Sequence, residues 1–167
     1  KKSIKMNYRH EFHAGNFADV FKHIVLVRMI EHFKGKEKAF RYLDTHAGSG
    51  LYTLPSEDQK DHRGNPPEWV NGIKRLDNWQ PSAEVAKLVA PYLEAIQQDE
   101  PSNGERTYPG SPMIAYRCMR NQDRLTACEL QPDAHAALKS NFKGNYQARI
   151  LNLDGWLISR SQLPPKE

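Results

Sequence analysis

Cysteine is scarce in this chain of 167 residues: only Cys118 and Cys128 are present. Two are too few for a disulfide framework, and a reducing, cytoplasmic setting is the simpler reading. Long apolar runs are also missing. None approaches the roughly 20 residues of a membrane helix. No apolar segment follows the basic N-terminus, as it would in a secretory leader. Repeats and low-complexity tracts are absent, which excludes a solenoid or a linker protein. What remains is a polar globular chain, 38% hydrophobic with a mean hydropathy of -0.78. Its length fits one domain with room for a subdomain and a real core. A net charge of +4 and a pI near 9.0 lean toward an anionic partner.

Two phosphate-binding signatures are missing as well. No Gly-x-x-x-x-Gly-Lys-Ser/Thr occurs, which argues against a P-loop enzyme. Residues 40–50 (FRYLDTHAGSG) read as a strand running into a glycine turn. Gly48-x-Gly50 lacks the third glycine of a dinucleotide fingerprint, and residues 51–54 run into Pro55 rather than opening a helix. A nicotinamide-dependent oxidoreductase is therefore the weaker alternative. Metal ligation is weakly supported too. His10 and His13 have no cysteine or carboxylate at tetrahedral-site spacing, and no metal is expected.

The periodicity predicts alternating helices and strands. Asn16 caps a helix over 17–34, with Asp19 in the capping-box position and Val20, Ile24, Val27 and Ile30 as its apolar stripe. Residues 39–43 form a strand ending at Asp44. Residues 55–66 are a loop. Pro67 opens a helix carrying Trp69, Ile73 and Leu76. Ser82 caps another, with Val85, Leu88, Val89, Tyr92, Leu93 and Ile96 inward and a kink or break at Pro91. Residues 99–107 are a loop. Ser111 as cap and Pro112 as first residue start a helix to about 120. A strand over 124–130, a helix over 132–142 and a strand over 149–153 follow, the last ending at Asp154-Gly155. Residues 161–167 are a loop.

Strands that alternate with helices indicate a parallel sheet, with ligands at the strands' carboxyl ends. Three polar clusters fall there: residues 44–50, Glu129, and Asp154-Gly155. A glycine turn lets a ligand approach the backbone. Glu129 can accept from both ribose hydroxyls, and Asp154 from an adenine amino group. Together they describe an S-adenosylmethionine site. Singly, each residue has an ordinary explanation, such as a solvated strand-end acid.

Residues 8–23, Tyr-Arg-His-x-Phe-His-Ala-Gly-Asn-x-Ala-Asp-Val-x-Lys-His, resemble the N-terminal signature of the bacterial large-subunit ribosomal RNA adenine-N6 methyltransferases of the RlmJ type. The likeness continues through residues 42–50, Tyr108-Pro109-Gly110-Ser111-Pro112 and Asp154-Gly155. It implies a Rossmann-like α/β class I methyltransferase fold, with a helical subdomain inserted after the first strand. The divisions expected are 1–54, the N-terminal segment and start of the core; 55–107, the insert; and 108–167, the core's continuation. It implies S-adenosylmethionine held by Lys22, His23, His46, Gly48, Ser111, Glu129, Asp154 and Gly155. Tyr8 and His10 would lie near the target adenine of 23S rRNA. A monomer with no membrane association is expected for the intact protein.

The likeness also has a gap. The family's catalytic Asp-Pro-Pro-Tyr/Phe motif is absent, since Pro164-Pro165 follow Leu163 on a loop. The motif is expected beyond Glu167, so this chain would carry the cofactor-binding half and be inactive alone. Such a half would expose a sheet edge and an apolar face. A non-catalytic RNA-binding module is the second alternative. Cys118 and Cys128 are expected in the core, and Trp69 and Trp79 in the insert's core or on a base-stacking surface.

Overall fold

The computed structural model describes residues 12–61, 63–97 and 105–162. In chain order the elements are α1 (Phe17–Lys34), β1 (Arg41–Asp44), β2 (Leu51–Thr53), two 3-10 turns (Glu68–Asn71 and Ile73–Leu76), α2 (Ala83–Ile96), β3 (Thr107–Pro109), α3 (Ser111–Cys118), β4 (Arg124–Cys128), α4 (Pro132–Asn141), β5 (Ala148–Leu151) and α5 (Gly155–Gln162). Among them no helix is long and apolar enough to cross a membrane.

α1 starts where Asn16 accepts the Asp19 amide at 2.9 Å. The capping box is displaced by one residue. The Asp19 carboxylate takes the Gly15 amide, while the Asn16 amide goes to the His13 carbonyl. Val27 and Ile30 of the expected stripe are buried, Val20 and Ile24 half-buried. Asp19 and His23 are buried beside them. On the opposite side, Phe17, Phe21, Val25, Met29 and Phe33 recur every fourth residue, and all are exposed. The helix is apolar on two faces, and only the inner one stood out in the sequence.

β1, β4 and β5 form a parallel sheet in the order β1-β4-β5, with Leu43 beside Thr126 and Thr126 beside Arg149. Tyr42, Leu125 and Ala127 face a core completed by Met113 of α3 and by Leu138 and Phe142. The opposite face is thinly covered, with Leu43 and Thr126 half-buried and Arg149 exposed. The outer edge of β1 has no strand beside it among the described residues.

Several local expectations are corrected. β2 and β3 pair antiparallel across more than fifty residues, where the sequence had suggested only a run into Pro55 and a loop. Strands of three residues are too short to show a period of two. The helix expected after Pro67 is instead two 3-10 turns that meet at Gly72. α2 runs on through Pro91 without breaking, and Val85 and Leu88 are exposed while Val89, Tyr92 and Ala95 are buried. Gly110, not Ser111, caps α3. α5 begins at the expected strand end, fills residues 156–160, for which the sequence reading assigned no element, and runs into the expected loop.

The amino-terminal ends of the strands are locked by one carboxylate. Asp123 is fully buried. It accepts the Phe40 amide at 3.0 Å, the Arg120 amide at 2.9 Å and two guanidinium nitrogens of Arg120. Arg120 in turn donates to the carbonyls of Lys34, Lys36 and Lys38. The buried Gln147 amide bonds the carbonyls of Arg120 and Asp123. One cluster thus joins the end of α1 to the approaches of all three parallel strands. Burial pushes the Asp123 carboxyl up, but the hydrogen bonds from Arg120 and Phe40 outweigh it and hold it below the ordinary range.

Candidate ligand site at the carboxyl ends of the strands

The opposite end of the sheet is built differently. β1 delivers Asp44, which is buried. One of its oxygens accepts the Ser111 hydroxyl at 2.6 Å and the Tyr42 phenol at 3.1 Å; the other accepts the His46 amide at 3.2 Å. Ser111 was expected to cap α3, and its hydroxyl instead fastens that helix to the end of β1. Burial, then the neighbouring Asp44 charge, pushes the Tyr42 phenol far up, so it stays a proton donor.

The glycine turn follows. Gly48 and Gly50 have φ of 61° and 78°, a region that favours glycine. At Gly50 a side chain would also meet Leu138 Cδ1 of α4 at 2.8 Å. Its absence lets the turn lie flat on that helix. The Ala47 amide bonds the Cys128 carbonyl at 3.0 Å, and the Gly48 amide bonds Glu129 Oε2 at 2.8 Å. The other Glu129 oxygen accepts the Gln131 amide at 2.8 Å. Glu129 is half-buried, and each carboxylate oxygen keeps a second lone pair for a ligand.

After β5, Asp154 Oδ1 accepts the Trp156 amide at 2.8 Å and caps α5. Gly155 is buried against the loop after β1. A Cβ there would sit 2.0 Å from the Thr45 carbonyl oxygen. The two loops are therefore in backbone contact, which brings His46 against the Trp156 ring at 5.9 Å.

Six of the expected site residues thus gather at this end: His46, Gly48, Ser111, Glu129, Asp154 and Gly155. Lys22 and His23 sit on α1 and are engaged elsewhere. Lys22 pairs with Asp19 at 2.9 Å, and the buried His23 bonds the Tyr108 hydroxyl at 2.8 Å while stacking on its ring. Tyr108 precedes Pro109, Gly110 and Ser111 in sequence, so His23 supports the strand that presents Ser111. Tyr8 and His10 lie outside the described residues. Exposed apolar side chains at this end were missed, among them Leu130, Trp156 and Leu157. The signal was present, since Leu130 follows Glu129 directly and Trp156 comes just after Asp154-Gly155. Among the described residues, no three metal-ligating side chains come together.

This geometry defines an α/β protein with a parallel sheet, whose candidate ligand site lies across the carboxyl ends of adjacent strands. Comparison with known proteins gives the family. The chain belongs to the family described as RsmJ: Ribosomal RNA large subunit methyltransferase D, RlmJ, whose model matches residues 37–167. It is 43% identical over 160 residues to Ribosomal RNA large subunit methyltransferase J of Escherichia coli strain K12, covering 96% of this chain and 55% of that protein. The protein of the same name in Haemophilus influenzae is 40% identical over 163 residues, covering 97% and 56%. A Legionella pneumophila protein of known crystal structure superposes with a TM-score of 0.74 at 34% identity, over 92% of this chain and 54% of that one. The chain spans about half the length of the curated relatives it matches.

Proposed function

We propose that this chain is the cofactor-binding half of an S-adenosylmethionine-dependent methyltransferase that acts on the N6 amino group of an adenine in large-subunit, 23S ribosomal RNA. The family membership and the names of the two relatives support this. On this reading the sheet is the start of a Rossmann-like class I fold, with residues 55–107 as an insert hung from the β2–β3 hairpin. The intact protein works as a monomer.

One observation carries the choice of cofactor: the Gly48 amide is bonded to Glu129. A phosphate cradle needs such amides free and pointing at the ligand. Here the amide serves a carboxylate, which would repel a pyrophosphate. The arrangement suits a ligand that is neutral or zwitterionic near the turn and offers ribose hydroxyls to Glu129. Asp154 stands ready for an adenine amino group, with Leu130 and Trp156 as apolar flanks. His46, Gly48 and Ser111 line the methionine end, with Lys22 and His23 behind. When bound, S-adenosylmethionine supplies an electrophilic methyl group on a positively charged sulfur. The chain's own contribution is to hold it in line for attack by the adenine nitrogen. A flipped-out target base would meet Tyr8 and His10.

The test is calorimetric titration of S-adenosylhomocysteine into wild type and Glu129→Ala. Two charge-assisted hydrogen bonds of about 1.5 kcal/mol or more each predict a loss of at least about a hundredfold. Trp156 fluorescence should report the same binding curve. Unchanged affinity in the variant, or preferential binding of a nicotinamide dinucleotide, overturns the assignment. RNA binding with no affinity for S-adenosylhomocysteine would favour a non-catalytic RNA-binding module.

A further inference from the structure

We propose that a cavity at the far end of the β2–β3 hairpin takes an unpaired nucleobase of the RNA adjoining the target. The proposal rests on the methyltransferase reading above. The cavity measures about 620 Å³, enough for a nucleotide. It is bounded by Phe12, by Thr53 and Arg106 at the hairpin's end, and by Trp69. β2 leads from Gly50, just before its start, to Thr53 at its end, roughly 10 Å at the rise of a strand. The cavity is thus a short step from the glycine turn, a separation that a neighbouring nucleotide of an unstacked strand spans.

The walls suit a flat heterocycle. Arg106 is pinned: its two terminal nitrogens donate to the Asp77 carboxylate at 2.8 and 2.7 Å, and its guanidinium lies over the Trp69 ring at 5.3 Å. The Arg106 side chain is 37% exposed. A rigid, partly open guanidinium plane is a stacking surface for a base, and Phe12, 38% exposed, offers an aromatic one. Ser56 and Gln59 line the same space, both exposed, and supply a hydroxyl and an amide that can read a base edge.

Charge selects the base over its phosphate. The Arg106 cation is neutralised by Asp77. The other charged lining residues are Glu57, which pairs with Lys74, and Glu105. No net positive charge faces the cavity, so a phosphate gains nothing there, whereas base amino groups find acceptors.

The test uses the full-length protein and a short single-stranded RNA containing the target adenine. Phe12→Ala and Gln59→Ala alter exposed side chains and should leave the fold intact. RNA affinity is expected to fall about tenfold in Phe12→Ala, the loss of one stacked base, and about threefold in Gln59→Ala. The salt dependence and the affinity for S-adenosylhomocysteine should not move, because no phosphate or cofactor contact is lost. RNA affinity within about twofold of wild type in both variants overturns the pocket while leaving the methyltransferase reading intact. A salt slope lower by about one unit also overturns it, since the cavity would then hold a phosphate. If wild type binds neither RNA nor S-adenosylhomocysteine, the methyltransferase reading fails, and the pocket with it.

Discussion

The two ends of the parallel sheet use the same chemical groups for opposite purposes. At the amino-terminal end, Asp123 has backbone amides and a guanidinium as partners and is fully buried. At the carboxyl end, Glu129 also accepts backbone amides, yet it stays half-buried. Asp154 spends one oxygen on the start of α5. A carboxylate enclosed by donors is a structural rivet. A carboxylate oriented by donors but left open keeps lone pairs that a ligand can use, as proposed for Glu129. Residue type does not separate the two; enclosure does.

The largest effect should come from breaking the rivet. Asp123→Ala strands the Phe40 and Arg120 amides and the Arg120 cation, so urea unfolding should show a loss of about 4 kcal/mol. Affinity for S-adenosylhomocysteine, measured on the folded fraction, should hold. A variant that loses affinity while keeping its stability would collapse the distinction between the ends.

Gly155→Ala attacks the other end. Its Cβ collides with the Thr45 carbonyl and pushes the β1 and β5 loops apart. Stability should drop by about 2 kcal/mol, a typical overpacking penalty. Affinity for S-adenosylhomocysteine should fall disproportionately in calorimetry, because the loops carrying His46 and Asp154 are forced apart at the proposed site.

Acid sharpens the comparison further. The Asp123 carboxyl is held below its ordinary range in the folded protein. The unfolded chain therefore binds more protons in the window between the two values. Stability from this group is present above the unfolded value of about 3.9 and is lost as pH falls through the folded one. Chemical denaturation at successively lower pH, starting from about pH 6, should show the loss once pH falls below the unfolded value, and Asp123→Asn should flatten it.

The smallest effect is expected on the outer face of α1. Phe21→Ser removes an exposed apolar side chain and should change stability by no more than about 0.5 kcal/mol. Light scattering should show less self-association, because a long exposed apolar stripe favours it.

Much of this was legible in advance because it is local. The Asn16 cap, the inner stripe of α1, the three parallel strands and the acids at their ends follow from spacing and residue type within short windows. The burial of Cys118 and Cys128 follows from composition. The hairpin of β2 and β3, the uninterrupted course of α2 through Pro91 and the existence of α5 did not follow. Each depends on a partner distant in sequence or on packing that overrides propensity.

The site divides in the same way. The sequence alone determined which residues stand at the strand ends: Asp44, the glycine turn, Glu129 and Asp154-Gly155. Tertiary structure alone decided that the Gly48 amide meets Glu129, that Gly155 presses on Thr45, and that Ser111 holds Asp44 rather than its own helix. These are contacts between segments dozens of residues apart. Their geometry is fixed by how the strands align and pack, which no local pattern of side chains encodes.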